Sequence, residues 1–112
     1  MPALTAAGPI TGAYRVAAIS GDELSLPSPI TVDIAEKTIM VRSDCIGMAW
    51  DYSVAGNELS TTSAPTRSCR RALTAPEQAV QDAFNAGGTL GRAPSGALVV
   101  TGRAGNLTLR SQ

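Results

Sequence analysis

At 112 residues the chain is long enough for one domain, which on folding hides roughly two-thirds of the surface its unfolded chain exposes. Nine basic and nine acidic side chains cancel, and charged residues make up only 16%, against the roughly 25% usual for globular proteins. A neutral chain with a single phenylalanine, Phe84, offers neither the basic footprint nor the aromatic platforms that nucleic acid requires, and no apolar run approaches the ~18 residues of a transmembrane span.

The opening "MPALTAAGPITG" lacks the basic and apolar regions of a signal peptide. Either the protein is cytosolic, or the chain is a mature portion whose export signal has been removed. Residues 1–11 read as a flexible linker, and residues 12–112 as one domain. Turn signals then recur at intervals typical of an all-β rhythm. "AYRVAAI" (13–19) is the first predicted strand, ended by "SGDE". Pro27 and Pro29 bracket a loop into "ITVDI" (30–34), where apolar and polar residues alternate with the period of a half-buried strand. "TIMVRSDC" (38–45) follows, with Ile39, Val41 and Cys45 expected on one face. "AWDYSV" (49–54) places Trp50, Tyr52 and Val54 on one side, and Gly56-Asn57 predicts a tight turn into "ELSTTS" (58–63).

After a connection containing proline and arginine comes one helix, "LTAPEQAVQDAFNAGG". Thr74 and Glu77 form a capping box, Pro76 fits the first turn, and Ala79, Val80, Ala83 and Phe84 make an apolar stripe. Gly87-Gly88 ends it, and "GGTLGRAPSG" reads as a loop that fits no phosphate-binding spacing. "ALVVTG" (97–102) and "NLTLRS" (106–111) close the chain, Leu107 and Leu109 facing in and Thr108 and Arg110 out. The expected fold class is α+β: a curled antiparallel sheet of about seven strands, a partly open barrel, with one α-helix packed on it.

Candidate chemistry is sparse. The chain has no histidine, which removes Ser–His and Cys–His arrangements and the ordinary metal triads. Asp33, Glu36, Asp44 and Asp51 could pair as acid and base, but carboxylates in adjacent hairpins are more often solvent-facing strand residues. Trp50 and Tyr52 could form a ligand patch; large apolar residues on an alternating strand more often belong to the core. No enzymatic activity, no cofactor and no metal is expected. Cys45 and Cys69, 24 positions apart, cannot build a zinc site alone. They are either small buried hydrophobes or a disulfide between the strand ending at Cys45 and the connection before the helix.

The order of features resembles the META domain, the HslJ-like family of small bacterial envelope proteins. An aromatic first strand (Tyr14) and Cys45 precede "WDYSVAGNEL", then come "TRSC" (Thr66 to Cys69), a helix beginning near Glu77, and the terminal "ALVVTG" and "LTL". The resemblance covers residues 12 to 110 and departs from the family at Ile46, where the family usually carries asparagine after the first cysteine. It implies a curved antiparallel sheet with a helix on it, and export, often as a lipoprotein. It also implies association with heat induction, antibiotic tolerance, and secretion or motility, without an established enzymatic activity. Export favours the Cys45–Cys69 disulfide, since the compartment is oxidising.

These readings together predict a non-catalytic domain of the periplasm or cell envelope, lipid-anchored where a lipobox precedes it. It would act as a monomer by binding or by supporting stress tolerance or secretion. Its partner would be an envelope protein, a glycan or a lipid head group, not nucleic acid. Arg67, Arg70 and Arg71, beside Thr66 and Ser68, are the candidate partner-binding residues, because a loop tethered by Cys69 loses less entropy on docking. The alternative is a small secreted β-barrel inhibitor that presents the 64–71 loop to a hydrolase.

Overall fold

The structure is a computed structural model, and it describes residues 5–23, 29–66, 69 and 71–112. Among the described residues, nine strands and one helix follow in chain order: β1 (Gly12–Ile19), β2 (Asp22–Glu23), β3 (Thr31–Ile34), β4 (Thr38–Ser43), β5 (Ile46–Ala55), β6 (Glu58–Ala64), α1 (Ala75–Ala86), β7 (Gly88–Arg92), β8 (Leu98–Gly102) and β9 (Gly105–Ser111). Every pairing is antiparallel, and each strand from β3 to β9 lies beside its neighbours in sequence.

The expected partly open sheet of about seven strands in an α+β fold is therefore corrected. The protein is mostly β, and eight strands close into an antiparallel barrel, because β9 pairs back onto β1. The two-residue β2 is a short return against the end of β1 and stands outside the ring. Closure depends on β1 serving two partners. Gly12 to Arg15 pair with β3, while Tyr14 to Ile19 pair with β9 through a register shift between Val16 and Ala18. Such an irregularity bends a strand and increases its twist, as a closing barrel needs.

The missed strand is β7, which lies within the stretch read as a loop. Its glycines serve close approach rather than flexibility. Gly88 has φ 143°, and a Cβ there would stand 2.1 Å from the Thr101 carbonyl oxygen, so only glycine lets β7 meet β8 at this corner.

Alternation sends one face of each strand inward. Val32, Ile39, Val41, Trp50, Leu98, Val100, Leu107 and Leu109 are all nearly or fully buried. β6 pairs with β7 only through Glu58 and Leu59. Beyond these pairs β6 meets α1 instead, and the Thr61 hydroxyl donates to the Phe84 carbonyl. The capping box forms as expected, and the apolar stripe buries Val80, Ala83 and Phe84. Among the described residues no helix is long and apolar enough to cross a membrane.

The described part of the segment read as a linker lies on the barrel. Thr5 exchanges backbone hydrogen bonds with Arg92 at 2.9 and 3.0 Å, and Ala7 and Ile10 are buried. The Arg92 guanidinium donates to the Ala7 and Pro9 carbonyls, and the Tyr14 hydroxyl donates to that of Ile10.

Candidate functional site

Cys45 is not on the inward face of β4, as its place in the alternation suggested. The strand stops at Ser43, which takes the inward position, and Asp44 and Cys45 form the turn into β5, with Asp44 at φ 57°. From this turn Cys45 reaches the connection between β6 and α1. Cys45 and Cys69 stand at disulfide-bonding distance, their Cα atoms 5.5 Å apart. The Cys69 N–H donates to the Cys45 carbonyl at 3.1 Å.

Two further contacts hold the same connection. The Thr66 hydroxyl donates to the Gly47 carbonyl at 2.8 Å, and Arg71 reaches the Ser43 carbonyl at 3.5 Å. Residues 66, 69 and 71 thus lie alongside residues 47, 45 and 43, and the loop is fastened along the β4–β5 turn.

Arg71 is one of the candidate partner-binding residues, and its guanidinium donates to both carboxylate oxygens of Glu77, each at 2.8 Å. Glu77 is only 2% exposed and also accepts from the Ser43 hydroxyl and, at 2.9 Å, from the Thr74 N–H. The Arg71 hydrogen bonds hold its carboxyl down to about 2, with Ser43 and Thr74 acting the same way and burial opposing. A general acid or base needs a pKa near the working pH. Glu77 is a locked anion that fixes the loop to the helix start. Arg67 and Arg70, like Ser68, lie outside the described residues.

A cleft of about 720 Å³ opens beside this tie, lined by Met40, Arg42, Cys45, Ile46, Pro65 and Thr66. Met40 is 44% exposed on its wall. Trp50 belongs to the core. It is 2% exposed, its ring lies 5.0 Å from Phe84, and its indole N–H donates to Asn85 Oδ1 at 2.8 Å. Tyr52 is half-buried and donates to the Ala35 carbonyl. Asp33, Glu36, Asp44 and Asp51 are all exposed, on β3, in two turns and on β5. Among the described residues no group of three potential ligands could hold a metal ion.

Sequence reasoning missed the Ser43–Arg71–Glu77 network. The capping box marked Glu77 as a local feature of the helix, and nothing in the spacing of Ser43 or Arg71 signals a partner 34 or six positions away. No protein-family model, curated protein or solved structure matches this chain.

Proposed function

We propose that the chain is a non-catalytic binding domain of the bacterial envelope, of the META type its sequence resembles, with a rigid barrel that presents a fastened loop. The observation that carries this reading is the Cys45–Cys69 pair at disulfide distance across the β4–β5 turn and the loop before α1. A disulfide of this kind persists in an oxidising compartment and is rare where thiols are kept reduced. Its position supports a structural role, since it adds a covalent tie to a loop already held by Thr66 and Arg71. Glu77, whose carboxyl is held far below its ordinary range, is committed to the same loop.

The test uses the native gene expressed in its own host. Cells are quenched in acid, thiols are alkylated, and envelope and cytosolic fractions are analysed by intact mass. The chain is expected in the envelope fraction with both cysteines oxidised. A cytosolic chain carrying two alkylated thiols overturns the proposal.

A further inference from the structure

The outward positions of four adjacent strands bring together residues far apart in sequence. Arg110 of β9 lies opposite Arg15 of β1, Arg15 opposite Thr31 of β3, and Thr31 opposite Arg42 of β4. All three arginines are exposed and Thr31 is half-buried. The row crosses the line where β9 meets β1, so only the closed barrel assembles it. At ~4.8 Å between strands, Arg110 adjoins Arg15, Arg42 stands ~10 Å from Arg15, and the row spans ~14 Å.

Like charges directly opposite on paired strands destabilise a sheet. Here the cost is not offset: among the described residues the only ion pair is Arg71–Glu77. A local arrangement that works against folding and has no compensating contact is the expected mark of a functional surface.

We propose that this row is a docking track for a linear acidic glycan, a chain that carries carboxylates at intervals. Each guanidinium can take a carboxylate through two parallel hydrogen bonds, and three such forks in a line fit repeated anions better than one compact ion. The Thr31 hydroxyl, which donates to the Arg42 carbonyl at 3.4 Å, lies between them and can accept from a sugar hydroxyl. Arg42 also lines the 720 Å³ cleft with Met40, Asp44, Pro65 and Thr66, so the track runs at one end into a recess where a sugar ring can donate its hydroxyls to Asp44.

A bilayer fits less well. Asp33 lies one row away, opposite Met40, and Asp44 lies two residues beyond Arg42. Both are exposed, and an anionic plane wide enough to cover the row would meet both at once, whereas a single chain along the row clears Asp33 and reaches Asp44 only at the cleft. A single-stranded nucleic acid would find few aromatic faces to stack on, since the rings of Tyr14, Trp50 and Phe84 are buried and Tyr52 is half-buried. The inference goes beyond the cysteine-based reading and does not depend on it.

The experiment titrates the folded chain with a short polygalacturonate at low salt, with neutral dextran, phosphatidylserine vesicles and a single-stranded oligonucleotide in parallel. Saturable binding to polygalacturonate alone is expected, with several-fold weakening at ~0.15 M salt and amide shifts centred on Arg15, Thr31, Arg42 and Arg110. Arg15→Gln, Arg42→Gln and Arg110→Gln should each weaken binding about threefold, and together about thirtyfold. Arg103→Gln, in the β8–β9 turn, should leave binding unchanged. The positions are exposed, so thermal unfolding of the triple variant should match or exceed that of the parent. Failure to bind polygalacturonate, equal or tighter binding of dextran, vesicles or oligonucleotide, or a triple variant that binds like the parent would each overturn the proposal.

Discussion

Replacing Glu77 by glutamine removes one charge from the Ser43–Arg71–Glu77 network and little else. The shape is kept, and the side-chain carbonyl can still accept from the Thr74 N–H. What is lost is the ionic bond to Arg71, together with acceptor capacity for the Ser43 hydroxyl. A carboxyl held from 4.5 down to about 2 is worth about 3 kcal/mol at neutral pH if taken at face value. The Arg71 side chain is 32% exposed, however, and solvent screening brings the figure to about 1–2 kcal/mol. The pH dependence follows from the direction of the shift. Because the folded-state pKa is depressed, the unfolded chain binds more protons between about 4.5 and 2, so this contribution rises with pH through that window. The gap between parent and Glu77→Gln should be complete above about pH 5 and should close as pH falls towards 2. Urea unfolding of both proteins at pH 7, 4 and 3 measures it. A gap below about 0.5 kcal/mol at pH 7, or one of the same size at pH 3, refutes the reasoning.

Trp50→Ala should cost about 4 kcal/mol in denaturant unfolding, as for a large aromatic removed from a packed interior, and a loss below about 1 kcal/mol would contradict its burial. Trp50→Phe, which gives up the bond to Asn85 but keeps most of the packing, should cost about 1–2 kcal/mol by the same assay. Gly88→Ala should cost at least about 2 kcal/mol, because its Cβ would strike the Thr101 carbonyl as well as hold an unfavourable φ. Gly56→Ala, at φ 62° but facing open space, should cost only about 1 kcal/mol; equal losses would deny the crowding at Gly88. The unreduced protein should show one Cys45–Cys69 bond by intact mass, and replacing both cysteines by serine should lower stability by about 3.5 kcal/mol on the chain-entropy account. An unchanged unfolding midpoint would mean that the tie does not constrain the chain.

Local periodicity made most strands legible, and the reason lies in particular residues. Ile39 and Val41 alternate with Met40 and Arg42 because one face of β4 packs inward and the other meets water. Thr74, Pro76 and Glu77 announced the helix because capping is settled within four residues. β7 was not legible, since its composition of Gly, Thr, Leu, Gly and Arg is that of a loop; what makes it a strand is the room Gly88 leaves for the Thr101 carbonyl. Cys45 was misplaced because alternation does not say where a strand ends. Arg71 looked like a surface cation, because its partner is brought to it only by the way α1 starts. Each miss concerns a contact that the chain acquires from tertiary structure.

Closure of the barrel shows why an unfavourable outward contact does not endanger the fold. On the inner side of the β1–β9 pairing, Val16 meets Leu109 and Ile19 meets Leu107. Val16 is 6% exposed and the two leucines are fully buried, and each such side chain contributes about 1.5–3 kcal/mol. On the outer side of the same pairing, Arg15 faces Arg110, and a like-charge pair there costs less than about 1 kcal/mol. The inner face therefore decides that β9 meets β1, by a margin several times the repulsion on the outer face. Since burial fixes the register and side chains alternate, Arg15 and Arg110 have no way to avoid each other while the barrel is closed. Their backbone positions are thus held in line by the core, and the Arg15–Thr31–Arg42 register extends that line across β3 and β4. With the backbone positioned in this way, only the arginine side chains remain to be ordered when a partner arrives.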